Sequence, residues 1–226
     1  MSYRQAMKKT AMFTKRSWLA LTGALLTTAA LAAPTARTKR PARPPVILIL
    51  GDSLSAEYGL VRGTGWVALL SQRLKDRPEV RIVNASISGE TTSGGLTRLP
   101  ALLKQHRPTH VVLELGANDA LRGLPLNSTQ TNLDRMAQQA RGAGAQIVVV
   151  GMMLPPNFGQ RHGERFAALF KAVSQKHQAA LVPFFLQGVA DRPDARDWFQ
   201  ADGIHPLAKA HPIMLDNVWR ALSPLI

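Results

Sequence analysis

VILILGDSLS, residues 46–55, is the stretch of sequence that decides the fold. Five aliphatic residues in a row are typical of a strand that is buried on both faces of a parallel sheet. Gly51 and the small polar residues after it end the strand, and a tight turn there would place Ser53 beyond the edge of the sheet. Ligands of open parallel sheets bind in the crevice beyond the carboxyl ends of the strands. The stretch therefore predicts a first buried strand, Val46–Leu50, followed by a serine at the ligand-binding edge.

Short apolar runs alternate with segments of helical period along the rest of the chain, a pattern that indicates an α/β fold with a parallel sheet covered on both faces. About five parallel strands are expected. After the first, the predicted strands are Val80–Asn84, His110–Leu115, Gln146–Met152 and Ala180–Phe184.

Apolar residues spaced three and four apart predict helices between the strands. The predicted helical segments are Trp66–Leu74, Leu96–His106, Leu126–Arg141, Glu164–His177 and a last one from about Pro206 to Leu222. Pro206 is placed at the first helical position, where a missing N–H costs nothing. Residues 186–203 show no period and are predicted to form a surface loop.

Composition and charge exclude several classes of protein. The chain has 226 residues, of which 46% are hydrophobic and 19% charged, as expected for one globular domain with its own core. The net charge of +14 is concentrated at one end, because residues 1–44 hold nine Lys and Arg and no acidic residue. The remaining 19 cations and 14 anions are interspersed, so no basic footprint for nucleic acid is present.

The N-terminus has the pattern of an export signal. A basic start, an apolar run from Trp18 to about Leu31 and small residues near Ala32 predict a signal peptide over residues 1–33. A membrane anchor is the alternative, but the apolar run is shorter than the roughly 20 residues that span a bilayer. Residues 34–45, rich in Pro and Arg, read as an extended tether, and residues 46–226 as the folded domain. We therefore expect a periplasmic or secreted protein with no stable membrane insertion after cleavage.

Ser53 is the candidate nucleophile, and a base for it lies near the C-terminus. A serine hydroxyl needs a base to take its proton and a third group to orient that base. In the DGIHP sequence of residues 202–206, a carboxylate three residues before an imidazole can reach its Nδ1–H, which leaves Nε2 free to face a serine. The alternatives are that Ser53 caps a helix and that His205 is a solvated loop histidine. His106, His110, His162, His177 and His211 lack such a partner at this spacing and are interpreted as structural.

Two further segments that follow strands carry candidate donors for an oxyanion. Gly89, in NASISGE (residues 84–90), can bring its backbone N–H close to a ligand, and Asn118, in GAND (residues 116–119), can donate from its side chain. Either segment alone is weak, because glycine-rich turns are common and Asn often caps a local backbone group.

The four segments together resemble the SGNH family of GDSL hydrolases, and the resemblance covers essentially all of residues 46–226. Longer stretches, such as LELGANDALRG and ADGIHPLAKAHP, look like the bacterial thioesterase I branch, which includes lysophospholipases and arylesterases. The resemblance implies a three-layer flavodoxin-like fold.

Residue roles follow from the same resemblance. It implies Ser53 as nucleophile, His205 as general base and then acid, and Asp202 as its orienting partner. The oxyanion hole would consist of the Ser53 and Gly89 backbone N–H groups and the Asn118 side chain. Leu154 and Pro155 match a loop that lines the acyl pocket, although an ordinary strand-to-helix connection is the alternative.

These roles predict hydrolysis of small-molecule carboxylic esters and thioesters, such as acyl thioesters, lysophospholipids and aryl esters, through an acyl-serine, with no metal and no organic cofactor. The chain lacks HExxH, a Walker loop and a GxGxxG motif, which excludes the commonest cofactor-dependent alternatives. A carbohydrate O-deacetylase and a non-catalytic acyl-chain binder remain as alternatives. We expect a monomer, because no coiled-coil or repeat pattern is evident.

Overall fold

A computed structural model describes residues 43–226 of the chain. The predicted signal peptide, residues 1–33, and residues 34–42 of the predicted tether lie outside the described residues. Within residues 43–226, no helix is both long and apolar enough to cross a membrane.

The described residues form a five-stranded sheet in which every pair of neighbouring strands is parallel. Its strands are β1 (Val46–Gly51), β2 (Arg81–Asn84), β3 (His110–Glu114), β4 (Gln146–Val150) and β5 (Ala180–Val182). Their order across the sheet is β2-β1-β3-β4-β5. The predicted α/β fold with five parallel strands is confirmed, although four of the five strands end or begin one or two residues inside the predicted bounds.

Helices cover both faces of this sheet. They are α1 (Trp66–Arg73), α2 (Thr92–His106), α3 (Ala117–Leu121), α4 (Leu126–Gly142), α5 (Gln160–His177) and α6 (His211–Leu222). The chain first moves from β1 out to β2 and then reverses toward β3, β4 and β5, so right-handed crossovers put α1 on one face and α2, α4 and α5 on the other. The contacts agree, because α4 packs against α2 and α5 whereas α1 packs against α6.

The core lies between the sheet and these helices. Ile47, Leu48, Ile49 and Leu50 of β1 are fully buried, as expected for a central strand with helices on both faces. On the α1 side, Trp66 meets Phe185 edge to face with ring centroids 5.8 Å apart. With its central strand packed in this way, the sheet is a rigid support for the turn that follows β1.

The prediction that the last helix starts at Pro206 is wrong. Pro206 pairs with Phe199 in an isolated antiparallel bridge, and the chain reaches His211 before α6 begins. Pro212, not Pro206, occupies the first turn of that helix, where no N–H is needed. Hydrogen bonds from Leu207 N to Trp198 O and from Gln200 N to His205 O flank this bridge, and a short 3-10 helix, Ala208–Ala210, precedes α6.

Three other helix predictions also need correction. Helix α2 begins at Thr92, four residues before the predicted Leu96, because the Thr91 hydroxyl caps it by accepting from Gly94 N at 3.4 Å. Helix α5 begins at Gln160 rather than Glu164, and the short α3 was not predicted. The first four residues of α2 and of α5 are polar or glycine, so they carry no apolar period.

Candidate active site

Ser53 lies on a tight turn directly after β1. The turn is closed by backbone hydrogen bonds from Ser55 N and Ala56 N to Asp52 O, at 3.2 and 3.0 Å. The next helix begins only at Trp66, so Ser53 does not cap a helix. Its partly buried hydroxyl is therefore held at the carboxyl edge of the sheet and is available to a partner from another loop.

That partner is His205. Its Nε2 lies 2.8 Å from Ser53 Oγ, although 152 residues separate the two in the chain. On the other side of the ring, His205 Nδ1 lies 2.6 Å from Asp202 Oδ2. Because an ionised carboxylate only accepts hydrogen bonds, Nδ1 carries the proton and Nε2 can accept the proton of the serine.

The loop that carries His205 folds around the Asp202 carboxylate. Asp202 Oδ1 accepts from Ile204 N at 2.9 Å and from His205 N at 3.0 Å, and Gly203 between them has a φ of +67°. That left-handed conformation favours glycine and brings the imidazole back over the carboxylate. The hydrogen bond from the His205 backbone, together with that from its side chain, lowers the pKa of Asp202 to about 2. Asp202 is thus ionised at neutral pH.

Tyr58 holds the exposed face of His205. The two rings have centroids 4.3 Å apart and planes inclined by 37°, and half of the tyrosine surface remains open to solvent. Aromatic contacts of this kind restrict ring rotation. Tyr58 lies far from His205 in the chain and belongs to no catalytic pattern, so this contact was not predicted from the sequence.

Asn118 lies in the first turn of α3 and is tied to the serine turn through Asp52. Its side-chain Nδ2 donates to Asp52 Oδ2 at 3.1 Å, and Asp52 Oδ1 accepts from Leu54 N at 3.0 Å. Asp52 thereby connects the loop after β3 to the turn after β1. An amide carries two hydrogens, so Asn118 keeps one for a ligand above Ser53.

Beneath Asp52 lies a second buried carboxyl group, that of Glu114 at the end of β3. Glu114 Oε2 accepts from Asp52 N at 3.2 Å and from Ser55 Oγ at 2.6 Å, and Ser55 Oγ in turn accepts from Trp66 Nε1 at 3.0 Å. Burial, together with the nearby Asp52 carboxylate, raises the pKa of Glu114 well above its usual value. Burial also raises the pKa of Asp52, to about 6.

These two carboxyl groups were not singled out from the sequence as functional residues. Asp52 belongs to the VILILGDSLS segment, but its partners Glu114 and Asn118 are more than 60 residues away. Only the parallel pairing of β1 with β3 brings them together, with Gly51 opposite Glu114 in the register.

Gly89 follows β2, in the loop on the other side of β1. Its φ of +78° is a left-handed conformation that suits glycine. Arg122, from the loop after β3, donates through Nη2 to Gly89 O at 2.8 Å. This hydrogen bond reaches across from one loop to the other and holds the Gly89 peptide in place.

An open cleft of about 1020 Å³ runs from the His205 loop over the ends of β3, β4 and β5. Leu154 and Pro155 line it, together with Leu121, Met153 and Ile204. Asp202 and Leu54, the neighbours of His205 and Ser53, form its inner end. The mostly apolar lining suits a hydrocarbon chain.

The other histidines lie elsewhere in the fold. His211 Nδ1 accepts from Trp66 N at 3.1 Å, His110 Nε2 donates to Leu225 O at 2.8 Å, and His177 Nε2 lies 3.0 Å from Asp134 Oδ1 on the surface. None of these contacts involves the Ser53 site. Within residues 43–226, His, Cys, Asp and Glu side chains form no group of three or more that could hold a metal ion.

The arrangement is suited to acyl transfer. A hydroxyl, an imidazole and a carboxylate are aligned within hydrogen-bonding distance, and a side-chain amide lies on the other side of the serine turn. This geometry can deprotonate the hydroxyl as it attacks a carbonyl carbon and can return the proton to the leaving group.

Comparison with known proteins also indicates an acyl hydrolase. The profile of the GDSL-like Lipase/Acylhydrolase family matches residues 49–213. The esterase TesA of Pseudomonas aeruginosa is 51% identical over 181 residues, which cover 80% of this chain and 89% of that protein. A protein of Escherichia coli K12 named thioesterase 1/protease 1/lysophospholipase L1 is 42% identical over 189 residues, which cover 84% of this chain and 88% of that one.

A solved structure extends the likeness to the fold. The crystal structure of a protein named TesA matches with a TM-score of 0.76 at 50% identity, over 80% of this chain and 99% of that chain. The resemblance noted in the sequence is therefore confirmed. The chain belongs to the GDSL-like lipase/acylhydrolase family of ester hydrolases.

Proposed function

We propose that this chain hydrolyses acyl esters and thioesters through an acyl-serine intermediate formed on Ser53. The observation that carries the proposal is the continuous relay from Ser53 Oγ to His205 Nε2, at 2.8 Å, and from His205 Nδ1 to Asp202, at 2.6 Å. A serine without a base in reach would be a poor nucleophile.

In the first half of the reaction, Ser53 Oγ attacks the carbonyl carbon while His205 Nε2 takes the hydroxyl proton. The negative charge that develops on the carbonyl oxygen is stabilised by the backbone N–H groups of Ser53 and Gly89 and by the free amide hydrogen of Asn118. His205 then gives its proton to the departing alcohol or thiol as the bond from the carbonyl carbon to the leaving group breaks.

Water completes the reaction at the same site. His205 takes a proton from a water molecule that attacks the acyl carbon, and the proton then passes to Ser53 Oγ as the acyl bond breaks. The products are the carboxylic acid and the free serine. Asp202 remains ionised throughout and stabilises the imidazolium that forms twice in the cycle.

The acyl part of the substrate would occupy the cleft lined by Leu154 and Pro155. A volume of about 1020 Å³ and a mostly apolar lining suit a medium or long hydrocarbon chain better than an acetyl group. The names of the E. coli relative, a thioesterase and lysophospholipase, support the same substrate class.

The test is hydrolysis of p-nitrophenyl esters from acetate to palmitate. We expect the rate to peak at medium chains and to fall by about 10⁴-fold or more in Ser53→Ala. Ser88→Ala, an exposed serine in the loop after β2, is the matched control and should retain the wild-type rate.

Two outcomes would contradict the proposal. An acetate-only profile would favour a carbohydrate O-deacetylase. If the wild type neither hydrolyses these esters nor forms a covalent adduct with a serine-directed organophosphate, the chain is an acyl-chain binder rather than an enzyme.

We further propose that the enzyme acts after export, in the periplasm or outside the cell, as a monomer. The basic, apolar and small-residue segments of residues 1–33 support export. The mass of the mature protein tests cleavage near Ala32 or Ala33, and a full-length mass would contradict it. Sedimentation of the same material tests the monomer.

A further inference from the structure

The large apolar side chains that are exposed to solvent are not scattered over the described residues. All seven of them lie in the connections that follow the carboxyl ends of strands, at the edge of the sheet that carries Ser53: Leu121 is the last residue of α3 and the other six lie in loops. Three line the open cleft proposed to hold the acyl chain, which we call the acyl cleft: Leu121, Met153 and Ile204. The others lie outside it, so the cleft alone does not account for the exposure.

Five of these residues form what we call the apolar ridge: Tyr58, Val61, Ile87, Leu121 and Leu124. They come from the loops after β1 and β2 and from the connection after β3, which includes α3; these strands are neighbours in the order β2-β1-β3. Val61 is 78% exposed and the others between 39% and 50%. The ridge is continuous with the cleft, because Leu121 belongs to both.

The charged residues of these three segments are distributed unevenly between surface and interior. Arg62, beside Val61, and Arg122, beside Leu121, are exposed, and within residues 43–226 neither lies within 4.0 Å of a carboxylate. The ridge therefore presents two unneutralised cations among its apolar side chains.

The acidic residues of the same segments are turned inward. Asp52 and Asp119 are buried, and the Glu57 carboxylate accepts from Gly63 N and Gly65 N. Glu90 is paired with Arg98 at 2.7 Å. As a result, no exposed anion in these segments opposes the positive charge of the ridge.

From this distribution we propose that the apolar ridge docks the enzyme onto the surface of an anionic lipid assembly, with the acyl cleft opening toward that surface. Apolar side chains can enter the boundary between head groups and acyl chains, while arginines bind the phosphates. The proposal rests on the proposed function only for its kinetic consequence, since binding to the surface needs no catalysis.

A lipid surface suits the ridge better than a protein partner does. The five apolar side chains come from three separate segments, so they form neither a groove for a helix nor an edge for a strand. The ridge itself presents positive charge and no exposed carboxylate, which is complementary to anionic head groups, whereas the exposed Asp191, Asp197 and Asp202 lie along the cleft. An acyl chain leaving such a surface would also reach the cleft without crossing water.

The absence of cysteine from the chain allows a test of orientation. A single cysteine introduced by Val61→Cys carries an environment-sensitive fluorophore on the ridge. Ala143→Cys places the same label on an exposed residue just before β4, at the opposite edge of the sheet. The probe is a vesicle of equal parts phosphatidylcholine and phosphatidylglycerol with ether-linked chains, which the enzyme cannot hydrolyse.

We expect vesicles to shift the emission of the label at position 61 to the blue and to shield it from an aqueous quencher. The label at position 143 should not change. Because the basic N-terminal residues are the same in both full-length proteins, their attraction to the vesicle does not distinguish the two labels. Equal responses at both positions, or none at either, would overturn the proposal, and an undiminished shift with phosphatidylcholine alone would overturn the role of the arginines.

Kinetics provides a second test. The double variant Val61→Asp, Leu124→Asp should hydrolyse dissolved p-nitrophenyl acetate at the wild-type rate, but a long-chain p-nitrophenyl ester held in anionic vesicles about ten-fold more slowly. Equal losses on both substrates would mean damage to the fold and would contradict a docking role. If the wild type hydrolyses neither substrate, the proposed function fails, whereas the fluorescence result still decides the docking.

Discussion

The turn after β1 and the loop before α6 each supply half of the proposed catalytic relay, but they are built in opposite ways. The turn, residues 51–55, is almost entirely buried and bonded to the end of β3 through Glu114. The loop, residues 201–205, is largely exposed and folds around its own carboxylate, Asp202. The nucleophile is therefore positioned by the core, whereas the base is positioned by local hydrogen bonds.

The carboxyl groups of Asp52 and Asp202 show how this difference affects the pKa of an acidic side chain. Burial raises the pKa of Asp52 to about 6, because the hydrogen bonds from Leu54 N and Asn118 and the nearby His205 offset the cost of burying its charge only in part. Hydrogen bonds from His205 lower the pKa of Asp202 to about 2 in its open loop. A carboxylate that must stay ionised for catalysis is thus found on the solvent side, where keeping its charge costs less.

After the loss of Ser53 itself, replacing Asp202 should have the largest effect on activity, because the loop has no other group on His205 Nδ1. In Asp202→Asn, the amide can present a donor to the ring and favour the wrong tautomer, so we expect kcat to fall by about 10³- to 10⁴-fold. The measurement is kcat on a medium-chain p-nitrophenyl ester. Asp197→Asn, an exposed residue near the same cleft, is the control. A loss below ten-fold would mean that the loop holds His205 without its carboxylate.

Replacing Asn118 tests the buried half of the site. In Asn118→Ala, one donor to the oxyanion is lost while the relay stays intact, so kcat should fall by about 10²- to 10³-fold with little change in KM. Asn127→Ala, at an exposed position in α4, serves as control. If KM rises and kcat is unchanged, Asn118 binds the substrate in its ground state and does not stabilise the oxyanion.

Asp52→Asn should change the pH dependence of stability. The pKa of Asp52 is about 6 in the folded protein against 3.8 for an ordinary aspartate. Between these values the folded state keeps a proton that the unfolded state has released, so the free energy of unfolding of the wild type falls as the pH rises from about 4 to about 6. The variant lacks this titration and should gain up to about 3 kcal/mol relative to the wild type across that window.

Urea unfolding at a series of pH values measures this difference. Asp76→Asn, an exposed position after α1, controls for the loss of one surface charge. Parallel stability curves for the wild type and Asp52→Asn would contradict the raised pKa of Asp52.

Tyr58→Ala should have the smallest effect, because it removes only a packing contact from the His205 ring. An aromatic contact contributes about 0.5–1.5 kcal/mol, so we expect kcat/KM to fall by about two- to ten-fold. Tyr58→Phe keeps the ring and should retain the wild-type value on a dissolved ester. A large loss in Tyr58→Phe would instead assign a role to the hydroxyl.

The sequence predicted the buried half and the exposed half of the site unequally well. Asp202 and His205 are only three residues apart in the chain, so the contact between them could be predicted from the sequence. The position of Ser53 followed from a long aliphatic run with a turn after it. By contrast, the contacts of Asp52 with Asn118 and of Glu114 with Ser55 depend on the pairing of β1 with β3, which no local pattern specifies.

The boundaries of the strands and helices show the same limit of prediction from local sequence. The five strands were predicted because each is a short aliphatic run, but the start of the last helix was not. Pro206 suits the first turn of a helix as well as it suits the bridge to Phe199, and only the tertiary contacts of Trp198 and Gln200 decide between them. The Tyr58 contact with His205 lies outside prediction for the same reason.

The far edge of the sheet, which carries no part of the site, brings the two ends of the folded domain together. Val46 N donates to Thr109 Oγ1 at 2.8 Å, and the neighbouring His110 donates to Leu225 O at 2.8 Å. A short peptide could therefore join the two ends, and new termini could be opened in an exposed loop, to give a circular permutant with an unchanged relay. Likewise, a reporter or a surface linker fused at either end would emerge from the pole opposite Ser53 and leave the acyl cleft unobstructed.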